Sequence, residues 1–206
     1  MPADDALDST LRDAVVSAAS AVHEGEAVVY PTETVYGLGA DALSTAAVER
    51  VFEIKGRDRD KPLSLAAPSV DAALEYVRPT EREERFMRAF LPGPVTVVVE
   101  RGDSVPDALT AGRDRVGVRV PDHPVALALL REAAPTPVTA TSANLSGAPS
   151  VTDPADLDPS LRERVAAVVD GGVTPGTEST VVDPGAGVIH RRGALGDEIR
   201  EWLASN

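Results

Sequence analysis

Apolar positions along the chain follow two rhythms. In STLRDAVVSAASAVHEG, residues Leu11, Ala14, Val15, Ala18, Ala19 and Val22 share one helical face, and Gly25 supplies a stop. STAAVERVFEIKGR repeats Ala47, Val48, Val51 and Phe52 at helical spacing behind an N-cap serine, Ser44. SVDAALEYV, TEREERFMRAF, HPVALALLREA and GDEIREWLAS predict further helices. Between them, AVVYP, LSLAA, VTVVVE, VGVRVP, PVTA, VAAVVDGG, STVVD and GVIHRR read as short strands. Several of these strands follow one another with no helix between. The expected fold is therefore α/β, a twisted mixed β-sheet covered by helices, and not a regular strand–helix alternation. No repeat or low-complexity tract interrupts it, DPADLDPS reads as a surface connection, and one domain over residues 1–206 is expected.

Charge sharpens this picture. Thirty-three acidic against twenty basic residues give a formal net charge of −13. Such a surface stays hydrated in concentrated salt, which suits a halophilic cell, and it argues against general nucleic-acid binding. Any polyanion site must be local. The absence of cysteine excludes a disulfide frame, a thiol nucleophile and cysteine-ligated zinc. The start, MPADDALDST, has neither a basic n-region nor an apolar core, and no apolar run reaches membrane-spanning length, so a cytoplasmic protein is expected.

Four stretches carry candidate chemistry. YPTETVYGLGAD follows a strand and reads as a turn that presents hydroxyls and backbone N–H groups, or as a plain glycine loop. KGRDRDK holds both lysines of the chain, Lys55 and Lys61, among arginines that supply every other basic residue. It is either a solvated charged turn or a clamp for a triphosphate, with lysine as compact point charge and arginine as rigid fork. TATSANLSGAPS gathers hydroxyls and an asparagine that can read phosphates or merely cap a helix. VGVRVPDHP places Arg119 in an apolar strand, where a buried guanidinium needs an anion, supplied by a structural or a substrate carboxylate. By strand alternation, Gly117 and Arg119 face away from Val116, Val118 and Val120, which would leave room for a ligand beside Gly117. No Walker or dinucleotide fingerprint occurs, and His23, His123 and His190 form no triad or metal pair.

Taken in order, PTETVYGLGAD, KGRDRDKPL, LPGPVTVVV, VGVRVPDHP, SANLSGAPS, GTESTVVD and RRGAL resemble the YrdC-like threonylcarbamoyl-AMP synthases over roughly residues 10–200. The resemblance implies a YrdC-like fold with a large basic-lined cavity, in single-domain form. It also implies a nucleotidyltransferase, an L-threonylcarbamoyladenylate synthase that joins L-threonine, bicarbonate or CO2, and ATP, releasing pyrophosphate. The product would pass to a tRNA threonylcarbamoyl transferase complex for N6-threonylcarbamoyladenosine formation. Matching positions imply L-threonine contacts at Thr34, Arg119, Ala140 and Ser179, and ATP contacts at Arg57, Lys61, Arg115, Ser142, Asn144, Ser150 and Arg191. Lys55, Arg57, Ser142 and Asn144 would form the catalytic group. No protein metal site is implied; Mg2+ would accompany ATP through phosphate oxygens and water. Two departures stand out: Ala66 where many relatives have histidine, and Arg192 where they have proline, which leaves open whether Arg191 or Arg192 faces ATP.

No residue in these motifs is a dedicated nucleophile or base, so the implied catalysis is positioning plus electrostatics. The rival readings are a double-stranded RNA or tRNA-binding module, weak RNA binding beside the enzyme activity, a carbamoyl-transfer domain of the same fold, and a sugar-phosphate lyase. The last lacks an acidic metal cluster.

Overall fold

A computed structural model describes residues 7–206. Residues 1–6, most of the stretch on which the absence of a leader is read, lie outside the described residues. Among the described residues no helix is long and apolar enough to cross a membrane.

The elements are α1 (Ser9–His23), β1 (Val28–Tyr30), β2 (Gly37–Gly39), α2 (Thr45–Lys55), β3 (Ser64–Ala66), α3 (Val70–Ala73), α4 (Glu81–Phe90), β4 (Val95–Glu100), α5 (Asp107–Thr110), β5 (Arg115–Arg119), α6 (Pro124–Glu132), β6 (Val138–Ser142), α7 (Pro159–Arg162), β7 (Ala167–Val168), β8 (Thr180–Asp183), β9 (Val188–Arg191) and α8 (Gly196–Ser205). The strands form a nine-stranded sheet in the order β7-β1-β2-β6-β3-β5-β4-β8-β9. Pairs β1–β7, β3–β5 and β4–β8 are parallel and the remaining neighbours antiparallel, so the sheet is mixed, as expected.

The helix ends follow their capping residues. Asp8 accepts from Leu11 N at 2.8 Å at the start of α1, and Ser44 caps α2, which closes on Gly56 in the left-handed region. Thr80 and Glu83 form a reciprocal capping box on α4. SVDAALEYV is helical only over Val70–Ala73, because Val77 then bridges to Arg101 and Arg78 N donates to Glu100 O at the end of β4. DPADLDPS also folds more than expected, into a 3-10 turn at Pro154–Asp156 and the start of α7.

Strand β2 lies inside a stretch that reads as a turn. Its glycines answer crowding: a Cβ on Gly37 would sit 3.1 Å from Tyr30 Cζ, and one on Gly39 would sit 2.4 Å from Val138 Cγ1. The Tyr30 ring thus lies against backbone that carries no side chains.

Two apolar clusters sandwich the sheet. On one face Leu65, Val95, Val97, Val99, Val116, Val118 and Val182 pack with Phe52, Phe86, Met87, Leu109 and Ile199 from the helices. On the other, Val15, Ala18 and Val22 of α1 and Val125, Ala126 and Leu129 of α6 cover Val28, Tyr30, Ala66 and Val138. These two helices reach only part of that second face. The uncovered remainder is the cavity described next.

Candidate functional site

Strand alternation aims the site. Opposite the buried valines, β5 presents Arg115, Gly117 and Arg119, β4 presents Thr96 and Val98, and β8 presents Val181 and Asp183 to one cavity of about 680 Å3. Ser64 of β3, Ala140, Thr141 and Ser142 at the end of β6, Thr32 and Thr34 of the loop before β2, and Arg57 and Lys61 after α2 complete the wall. Ser179, Glu178 and Arg191 close it from the side of β8 and β9.

The lining is mixed in sign. Arg57, Lys61, Arg113, Arg115, Arg119 and Arg191 share it with Asp60, Glu178 and Asp183, so the implied basic lining is interrupted by carboxylates that pair with some of these cations. Arg115 Nη2 lies 2.5 Å from Glu83 Oε1 and 2.9 Å from Asp183 Oδ1, and also donates to Val98 O. Burial works against the Glu83 charge, yet the hydrogen bonds from Arg115 and Thr80 outweigh it and hold the carboxyl below the usual range. Arg115, expected at ATP, lines the cavity while its guanidinium is held in an ion cluster with Glu83 and Asp183.

Arg119 is buried and does not wait unpaired. Its Nη2 donates to Thr34 Oγ1 at 3.1 Å and lies 2.9 Å from Glu33 Oε1. The open question about its partner resolves to a structural carboxylate, one that the sequence motifs did not single out. Thr34 is held in turn by Thr32, whose hydroxyl lies 2.8 Å away and bonds Val35 O at 2.7 Å. Tyr30 stands beside the pair, its phenol pushed up to about 12 by burial first, with Arg119 and Glu33 acting in opposite directions. Ala66 is in register with Arg119 and fully buried, so this position itself offers no imidazole. Gly117 does not reserve space for a ligand: a Cβ would meet Ser64 Oγ at 2.3 Å and Thr96 Cγ2 at 2.9 Å.

Arg57 and Arg191 form the second group. Arg57 donates to Lys61 O at 2.9 Å and Pro62 O at 3.1 Å, with no carboxylate in ion-pair range among the described residues. Burial, then the charge of Arg191, lowers its pKa from the ordinary value. Both guanidiniums line the cavity, and such a pair of like charges suits an anion. Arg191 bonds Ser179 through its main-chain oxygen at 3.1 Å and its hydroxyl at 2.9 Å, and pairs with Glu178 at 3.2 Å. Arg192 points away and pairs with Asp197 at 2.7 Å. Arg191, not Arg192, faces the cavity.

Three expected contacts are not in the cavity wall. Lys55, at the last turn of α2, is 2% exposed. Its ammonium donates to Ser142 O and, at 2.6 Å, to Asn144 O, so it ties down the loop after β6 from below. Burial, with Arg57 nearby, pushes its pKa down to about 8. Asn144 donates its amide to Leu145 O at 2.9 Å and Ala148 O at 2.7 Å, holding the same loop. Ser150 bonds Glu178 at 2.9 Å. Thr96, Ser64, Glu178 and Asp183 were missed by motif reading, although period-two alternation in VTVVVE and LSLAA places Thr96 opposite Val95, Val97 and Val99 and Ser64 opposite Leu63 and Leu65, and in STVVD places Asp183 opposite Val182.

The fold and site together define an α/β protein whose sheet face carries a small-molecule cavity with two separate cationic groups. The chain belongs to the Sua5/YciO/YrdC family, whose model, described as telomere recombination, matches residues 20–193. It is 42% identical over 177 residues to a threonylcarbamoyl-AMP synthase of Bacillus subtilis, covering 84% of this chain and 51% of that protein. Pyrococcus abyssi Sua5 complexed with L-threonine is similar at a TM-score of 0.83 and 39% identity, over 91% of this chain and 56% of the other. Escherichia coli YciO matches at a TM-score of 0.80 and 27% identity, over 89% of this chain and 90% of the other. The chain thus spans about half the length of the Bacillus subtilis and Pyrococcus abyssi relatives.

Proposed function

We propose that this protein is an L-threonylcarbamoyladenylate synthase. The observation that carries the reading is a single cavity in which Arg119 and Thr34 are fixed beside one another while Arg57, Lys61 and Arg191 line the wall as a second cationic group. The first group suits the carboxylate of an amino acid, and the second the phosphates of a nucleotide. The relatives named for this synthesis, and the Pyrococcus abyssi Sua5 that binds L-threonine, support the same assignment.

The threonine amine and bicarbonate or CO2 give a carbamate, whose oxygen attacks the α-phosphorus of ATP. Threonylcarbamoyl-AMP and pyrophosphate are the products, with water released when the carbamate forms from bicarbonate and a proton when it forms from CO2. Arg119 orients the carboxylate, Thr34 and Ser179 stand ready for polar contacts, and the backbone at Ala140 lines the same wall. Arg57, Lys61 and Arg191 balance the charge that builds on the departing pyrophosphate. Holding both reactants in one cavity contributes about 7–11 kcal/mol through effective molarity. Lys55 and Asn144 shape the loop that presents Ser142, and so act on the site without touching its contents.

Mg2+ supplies charge neutralisation on the phosphates when it arrives with ATP. Among the described residues no group of three or more candidate ligands forms a metal site, and Asp183 and Glu178 are committed to Arg115 and Arg191. The protein set does not fit a resident ion, and no step is assigned to one.

The product would feed a tRNA threonylcarbamoyl transferase in the cytoplasm. The test is pyrophosphate release from ATP with threonine and bicarbonate supplied together or singly, with labelled threonine followed into a nucleotide adduct. Release that is equal when either component is omitted would refute the assignment.

A further inference from the structure

Glu33 sits between Thr32 and Thr34, which both line the cavity, yet it does not line the cavity itself. Its carboxylate approaches Arg119 Nη2 to 2.9 Å, and the two side chains are 15% and 10% exposed. The approach is not along an N–H bond: neither Glu33 oxygen has a hydrogen-bond donor among the described residues, and both are shielded from solvent. Glu33 is therefore not placed to touch a ligand. It neutralises the guanidinium from behind, by charge alone.

We infer that Glu33 is a specificity-determining residue, the built-in counter-anion that makes the Arg119 site accept zwitterions and reject simple monoanions. This rests on the reading of the cavity as an amino-acid site. With Glu33 in place, the empty pair is neutral. An amino acid brings an ammonium with its carboxylate and leaves the filled site neutral. A monocarboxylate or a halide leaves one negative charge in excess, and an unbalanced buried charge is costly. Without the Glu33 charge the preference turns over, because a monoanion would then complete the neutral pair. The discrimination works by disfavouring the wrong ligand, and adds no contact to the right one.

The experiment compares the full-length protein with Glu33→Gln and Glu33→Asp, titrating L-threonine and its deaminated analogue 3-hydroxybutyrate by calorimetry at constant ionic strength. The wild type should prefer threonine. In Glu33→Gln the preference should fall by about tenfold or more, with 3-hydroxybutyrate binding tighter than in the wild type. Glu33→Asp, which keeps the charge, should stay within about threefold of the wild-type ratio. Because Gln leaves Arg119 unneutralised, its Tm is followed as well: 3-hydroxybutyrate should raise the Tm of the Gln variant and leave that of the wild type unmoved. A Gln variant with the wild-type ratio, or one whose folding the anion does nothing to restore, overturns the inference. A wild type that binds no amino acid overturns instead the amino-acid assignment, while an anion-dependent Tm in the Gln variant would still report the Glu33 charge.

Discussion

Replacing Lys55 by methionine separates a loop anchor from a phosphate ligand. The ammonium donates to Ser142 O and Asn144 O. Charge-assisted bonds of this kind contribute about 1.5–3 kcal/mol each, together about 3–6 kcal/mol. Against this stands the cost of holding the ammonium out of water beside Arg57. A fall in pKa from 10.5 to about 8 corresponds to about 3 kcal/mol. Methionine fills the volume but satisfies neither carbonyl, so the net loss at pH 7 should be about 0–3 kcal/mol. Urea denaturation measures it, and ATP titration of the same variant should show a smaller loss than Arg57→Ala.

The pH dependence gives the sharper check. A lysine with a lowered pKa in the folded state binds fewer protons there than in the unfolded chain between about pH 8 and pH 10.5. Stability then rises with pH through that window, because the cost of the buried charge is present in full below pH 8 and is relieved above it. The wild type should gain on Lys55→Met by up to about 3 kcal/mol from pH 8 to 10.5. A difference that stays flat or shrinks there, or a variant of unchanged stability that has lost ATP binding, would show that Lys55 reaches solvent or phosphate and does not anchor the loop.

Arg57→Ala and Arg191→Ala should each raise the KM for ATP, and Arg57→Ala more, since Arg191 is already balanced by Glu178; Arg192→Ala should match the wild type in steady-state kinetics. Arg115→Ala should cost about 2–4 kcal/mol in urea denaturation, somewhat less than a fully buried pair because the guanidinium is partly solvated. A folded variant with only an ATP defect would return Arg115 to the nucleotide. Arg119→Lys keeps the charge but loses the planar fork, so the threonine KM should rise about tenfold or more with the ATP KM little changed; equal threonine affinity by calorimetry would contradict this.

Much of the fold is legible because the helices and the longer strands obey simple periods. VGVRVP shows its two faces outright, and the structure places Val116 and Val118 in the core and Arg119 in the cavity. GLG was not legible as a strand, because its glycines reflect a Tyr30 ring and a Val138 side chain distant in sequence, and a local reading assigns them to a turn. The site divides along the same line. Of the positions the resemblance implies, Thr34, Arg57, Lys61, Arg115, Arg119, Ala140, Ser142, Ser179 and Arg191 line one cavity. It could not foresee that Lys55 turns under the loop after β6, or that Arg115 meets Glu83 from α4 and Asp183 from β8. These are long-range partners, and no spacing within a motif encodes them.

The pairing of cations explains how an acidic chain carries a site for anions. Arg115 has Glu83 and Asp183, Arg119 has Glu33, and Arg191 has Glu178. Each guanidinium at the cavity that is held by strand β5 or β9 is balanced by a carboxylate of the protein itself. Arg57 and Lys61 have no such partner among the described residues, and they flank the turn where Arg57 donates only to main-chain oxygens. On the proposed function, an entering polyphosphate would meet cations there that no carboxylate ion-pairs, with Asp60 sharing the wall, while Arg191 beside them is held by a half-exposed Glu178 in a pair that is weak in water. On the same reading, an amino-acid carboxylate would meet Arg119 with Glu33 already beside it at 2.9 Å. One sheet face thus carries one cationic group without an ion-paired carboxylate and another that is compensated.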